Sequence, residues 1–149
     1  HAESLLGVLR QMLALTRPAG ARVLVNSLHP SAWWHEADGV HLRSADLRAG
    51  MPVLAEPHWI GASTHNAEEL AMARDIGARF AVLGPVLHTN THPEAEPLGW
   101  SRFANLAADA GLPVFALGGQ SMGLMPQAFS CGAHGIAGIR HLFSNRSVQ

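Results

Sequence analysis

The chain is 149 residues long, 48% hydrophobic and 14% charged, enough for one domain, residues 1–149, with a sizeable buried core. Ten Lys and Arg against eleven Asp and Glu give a formal net charge of −1, which leaves no basic stripe for nucleic acid or an anionic membrane. A single cysteine, Cys131, excludes a disulfide framework, and no apolar run nears the ~20 residues of a membrane helix, so the expected compartment is the cytoplasm.

The opening residues His1-Ala2-Glu3-Ser4 lack a signal-peptide pattern and an initiator Met, and the chain is expected to continue upstream. Residues Glu3 to Thr16 place Leu5, Leu6, Leu9, Met12 and Leu13 at helical spacing, and Pro18-Ala19-Gly20 stops that helix. Arg22 to Asn26 then reads as a strand, His29 to Trp34 as a short or imperfect helix, and Gly39 to Leu42 as a second strand. Another short helix is expected over Asp46 to Ala49, before a strand at Trp59 to Ser63.

Asn66 with Glu69 three residues on is a capping box, Glu68 and Glu69 complement the helix N-terminus, and Gly77 supplies the stop. Arg79 to Gly84 is the fourth strand, followed by one long polar loop from Leu87 to Leu98. Trp100 to Ala110 carries Phe103, Leu106 and Ala110 on one stripe and ends at Gly111. Pro113 to Gly118 and Gly135 to Ile139 are the last strands. The helix between them is expected to start near Met125, with Pro126 at its first position, where a missing N–H does no harm.

Apolar strands alternating with helices indicate an α/β chain with a parallel sheet. Six βα units are visible, whereas a closed (β/α)8 TIM barrel has eight strands and at least ~200 residues. Two arrangements fit: an opened barrel whose strand edges are covered by a partner chain, or a doubly wound open sheet. The barrel puts its ligand at the C-terminal strand ends; the doubly wound sheet puts it where strand order reverses. The strand ends carry Asn26, Ser63-Thr64-His65, Gly84-Pro85, Gly118-Gly119 and Gly138 to His141. Gly118, Gly119 and Gly138 would let bare N–H groups approach a phosphate, though each glycine alone more often makes a tight turn.

The segments GVHLRSADL (39–47), GASTHNAEE (61–69), GPVLHTNTHPEAEPLG (84–99), ALGGQ (116–120) and GAHGIAGI (132–139) follow in order and spacing those of thiamine-phosphate synthase and its TenI relatives. The resemblance implies a (β/α)8 barrel whose first two strands are missing here. It also implies cytoplasmic thiamine biosynthesis, in which a pyrimidine diphosphate and a thiazole phosphate are joined with release of pyrophosphate, Mg2+ holding the leaving group. Carried over by position, Asn26 and Ser63 are substrate-site residues and Asp46 is a Mg2+ ligand. Thr89 and Thr91 belong to the substrate-contacting loop, and Gly119 with the segment around Ile139 forms the thiazole-phosphate cradle. Domains of this kind also occur fused behind Nudix (MutT-like) hydrolases, which suggests an upstream fused domain as partner, while the open strand edges suggest a homo-oligomer.

The chain departs from that family pattern at several positions. Ser27 stands where a second acidic metal ligand is usual, His92 replaces the loop lysine, Arg140 replaces a serine near the phosphate, and Pro85 occupies the TenI catalytic histidine position. The expected function is therefore a divergent synthase/TenI-type domain binding a thiamine-related phosphate ester, or else a non-catalytic ligand-sensing or interaction module attached to a Nudix (MutT-like) hydrolase. Asp46 has a second reading as a helix cap. His41, inside a strand, reads as a hydrogen-bonded core histidine. His88 and His92 lie four apart in a proline-containing loop and read as acid or base candidates rather than as a metal pair.

Overall fold

A computed structural model describes residues 2–50, 58–89, 94–139 and 142. The chain opens with α1 (Ala2–Thr16), which tightens into a 3-10 turn over Arg17–Ala19 and stops at Gly20 in the left-handed region, φ 72°. There follow β1 (Leu24–Asn26), α2 (Ser31–Glu36), β2 (Gly39–Leu42), α3 (Ser44–Arg48) and β3 (Trp59–Thr64). The second half continues with α4 (Ala67–Asp75), β4 (Phe80–Leu83), α5 (Gly99–Ala108), β5 (Val114–Leu117), α6 (Met125–Ser130) and β6 (Gly135–Ala137). All six expected strands form. Pro126 falls at the second helical position, one later than expected, because Met125 is already in the helix.

The strands make one parallel sheet in the order β1-β2-β3-β4-β5-β6. A doubly wound sheet would reverse its strand order, so that alternative is excluded. Burial gives the same answer. Val25, Val40, Leu42, Ile60, Ala62, Ala81, Leu83, Val114 and Ala116 share one face, and helix residues Leu9, Trp34, Leu47, Leu70, Phe103 and Ala128 pack on that face. Helices on one side of a sequentially ordered parallel sheet are the wall of an α/β barrel, here an incomplete one.

The opposite, inner face alternates large and absent side chains. In the row Asn26-His41-Gly61-Phe80, a Cβ on Gly61 would come within 2.5 Å of Phe80 Cζ. In the row Ser63-Val82-Phe115-Gly135, a Cβ on Gly135 would come within 2.9 Å of Phe115 Cε1. The glycines make room for the rings, and Phe80 and Phe115 meet edge to face at 5.6 Å. His41, Trp59, Phe80 and Phe115 are nonetheless only half-buried, since no described element covers this face.

Helix α4 shows why its ends were readable. The Asn66 side chain accepts from the Glu69 N–H at 2.9 Å, and the Ala78 and Gly77 N–H groups bond Ala73 and Arg74 carbonyls across a left-handed Gly77. Helix α1 is less complete than its periodicity suggests. Leu9 and Leu13 are buried, but Leu5 and Met12 lie about half exposed on a side that no described element covers.

Candidate functional site

A cavity of about 520 Å3 opens at the C-terminal ends of β3 to β6. Ser63 and His65 come from the end of β3, Gly84 to Thr89 in part from the segment after β4, Gly118 to Ser121 from β5, and Gly138 and Ile139 from β6. Ser63, Thr89, Gly118, Gly119, Gly138 and Ile139 therefore meet in one cavity, together with the acid or base candidate His88 and the strand-end residues Thr64, His65, Gly84 and Pro85. Thr91, His92 and Arg140 lie outside the described residues. Asn26 and Asp46, on β1 and after β2, do not line the cavity.

The glycines after β5 have a packing reason of their own. Gly118 (φ 96°) and Gly119 (φ 64°) are left-handed; a Cβ would come within 2.7 Å of Pro85 at the first and 2.8 Å of Leu87 at the second. The segment after β4 is drawn in by Val86 N–H to the Leu117 carbonyl at 2.7 Å and Leu87 N–H to the Gly118 carbonyl at 3.2 Å. The tight-turn reading thus holds together with the anion reading. What supports the anion reading is a different observation. Among the described residues, the N–H groups of Gly119, Ser121, Gly138 and Ile139 donate to no backbone carbonyl, and Gly119, Gly138 and Ile139 are exposed, so these donors are open to solvent or to an anion.

Two side-chain pairs, each with one member lining the cavity, lie at its β3 side. The Ser63 hydroxyl and His41 Nε2 lie 2.9 Å apart across the inner face, and burial pushes the His41 pKa below its ordinary value, so the ring is neutral at pH 7. His41 is thus hydrogen-bonded as expected, but on the cavity side of the sheet. His65, which the sequence singled out only as part of a strand end, lines the cavity with its Nδ1 2.9 Å from Glu69 Oε2. Glu69 is almost fully buried and also bonds the His65 N–H at 2.8 Å and the Arg48 guanidinium. The capping box therefore turns its carboxylate toward His65 rather than toward the Asn66 N–H. A histidine four residues before a buried acid was the available signal.

The ends of β1 and β2 are arranged differently. Asn26 Oδ1 accepts the Leu28 N–H at 2.9 Å, a local turn bond. Asp46 does not cap α3: the helix starts at Ser44 with Arg43 at the cap position, which puts Asp46 in the first turn. Its Oδ2 accepts from Arg43 Nε and from the Ser27 hydroxyl, each at 2.6 Å, and its Oδ1 accepts from an Arg43 terminal nitrogen at 3.0 Å. The Arg43 and Ser27 bonds hold the Asp46 carboxyl below its ordinary pKa. This donor set does not fit a divalent cation. Both carboxylate oxygens face a guanidinium, the neighbouring position offers a hydroxyl, and among the described residues no three His, Cys, Asp or Glu side chains converge.

Sequential parallel strands, helices on one face and a cavity at the C-terminal strand ends define an α/β-barrel domain. The family profile described as thiamine monophosphate synthase (TMP-TENI) matches residues 1–142, and the chain belongs to that family. A relative from Aquifex aeolicus (strain VF5) is 35% identical over 131 residues, 87% of this chain and 70% of its own length. A thiamine-phosphate synthase of Thermosynechococcus vestitus is 32% identical over 137 residues, 91% of this chain but 39% of that protein. In fold, the chain is similar to the thiamine phosphate pyrophosphorylase from Pyrococcus furiosus, with a TM-score of 0.73, 24% identity, and coverage of 92% of this chain and 66% of that one. None of the relatives named here is described as a Nudix hydrolase.

Proposed function

We propose that residues 1–149 act as one barrel domain of thiamine metabolism in the cytoplasm that binds a thiamine-related phosphate ester at the ends of β3 to β6. The observation that carries this reading is the set of unengaged N–H groups after β5 and β6 beside the cavity. Backbone donors at glycine-rich strand ends suit a phosphate, because no Cβ blocks the oxygens and the donors are fixed before the ligand arrives. In this reading Gly118, Gly119, Gly138 and Ile139, with Arg140, hold the phosphate, while Thr89 and Thr91 contact it from the loop.

Ser63 orients the ring end of the ligand through a hydroxyl steadied by neutral His41. In a synthase reaction the thiazole nitrogen would form a bond to the pyrimidine methylene carbon as the carbon–oxygen bond to diphosphate breaks, and His92 is the loop residue nearest in role to the leaving group. Mg2+, which the family resemblance implies, would neutralise that leaving group when bound. No step is assigned to it, because Asp46 and Ser27 do not form a site for it. A second reading, a non-catalytic ligand-binding module, is favoured by the Arg43–Asp46 pairing and by Pro85 in place of a histidine.

Incubation with the pyrimidine diphosphate, thiazole phosphate and Mg2+, following pyrophosphate, separates the two. Pyrophosphate release supports the synthase. Thermal stabilisation by thiazole phosphate without turnover supports the binding module. Neither turnover nor stabilisation would remove the functional reading altogether.

A further inference from the structure

We propose that the Arg43 guanidinium takes the place of a divalent cation at the end of β2, so that this chain meets an anionic ligand there without metal. Asp46 is then the arginine's anchor and not a metal ligand. The geometry is specific. Arg43 follows β2 directly, its Nε and one terminal nitrogen lie on the two Asp46 oxygens, and its backbone N–H donates to the Ser27 hydroxyl at 3.0 Å. Ser27 in turn donates to Asp46 at 2.6 Å, closing a ring of three residues from the ends of β1 and β2.

The ring disposes of the metal and keeps the charge. A cation needs free carboxylate oxygens, and the fork of a guanidinium occupies both in the plane where a metal would bind. Arg43 remains 44% exposed while Asp46 is 18% exposed, so the positive group is the one turned to solvent. Its other N–H groups carry no partner among the described residues, and a guanidinium suits a phosphate oxygen as well as a carboxylate. Ser27 completes the exchange. An acid there would add a second negative charge to the pair and favour a cation, whereas a hydroxyl satisfies Asp46 without doing so.

The anion half of this inference rests on reading the strand ends as a phosphate-ligand site, so two measurements are needed. Mn2+ titration followed by water-proton relaxation reads the metal site without ligand or turnover. Wild-type chain and Asp46→Asn should behave alike. The double variant Ser27→Asp/Arg43→Gly should gain a Mn2+ site at least about tenfold tighter, lost again on adding Asp46→Asn. Wild-type Mn2+ binding that Asp46→Asn abolishes would overturn the proposal.

The second measurement is calorimetric titration with inorganic pyrophosphate in excess Mg2+ or in EDTA. Affinities within about twofold of each other, falling about tenfold in Arg43→Ala, are expected from the loss of one charge-assisted contact. Pyrophosphate that binds only with Mg2+, or does not bind, contradicts the arginine's role. Thiazole phosphate binding at β5 and β6 can fail without changing either result, so the two proposals fail separately.

Discussion

The two ends of the rim treat their polar groups in opposite ways. At β1 and β2, Asn26, Ser27, Arg43 and Asp46 bond one another or their own turn, and nothing there lines the cavity. At β5 and β6, backbone N–H groups beside the cavity donate to no backbone carbonyl among the described residues. The difference teaches where a ligand has something to gain. A self-satisfied network offers an incoming anion only its outward charge, whereas exposed amides already fixed by the fold exchange water for the anion without rearrangement.

The contrast can be tested by substitution. The largest effect is expected at Gly118. Alanine there must accept a left-handed backbone and a Cβ within 2.7 Å of Pro85, so urea unfolding should show a loss of about 2–4 kcal/mol. An unchanged unfolding midpoint would mean that the β5 end is not held as described. Next comes Ser63→Ala, which removes the His41 bond and should lower stability by about 0.5–1.5 kcal/mol in the same assay.

A smaller effect is expected from pH. Burial lowers the folded-state pKa of His41, so the unfolded chain takes up a proton first as pH falls. The contribution is complete above the ordinary value of 6.5 and is lost as pH drops through it toward the lowered folded value. The thermal midpoint should therefore fall from pH 7.5 to pH 5, and His41→Gln should flatten that slope. Smallest of all is Asp46→Asn at neutral pH, since its partner Arg43 is exposed and solvent screens the pair. Its effect belongs to acid: a carboxyl held below 3.8 gives stability that disappears as pH falls below that range, and the asparagine variant should lack that loss.

Much of the fold could be read from the residues because each strand buries one face against helices. Val40, Leu42, Ile60, Ala62, Leu83 and Val114 are apolar for that reason, and Asn66 and Gly77 mark helix ends by local geometry alone. Strand order was not readable from the apolar runs, which say that a strand is buried without saying beside which neighbour; only the family resemblance, by implying a barrel, carried it. Among candidate site residues, the glycine pair after β5 was legible through its spacing. The Ser63–His41 contact was not, because 22 residues separate the partners and only the β2–β3 register brings them together. The Arg43–Asp46 pair was within reach at a spacing of three, but its closure by Ser27 depends on how β1 lies beside β2.

Calorimetric titration of the intact chain with thiazole phosphate tests the account most directly. Saturable binding at one site, lost in Gly138→Val while that variant still unfolds cooperatively, is the result expected if the amides after β5 and β6 hold the phosphate. A folded wild-type chain that takes up no phosphate ester, or a Gly138→Val variant that binds as tightly as wild type, would contradict it.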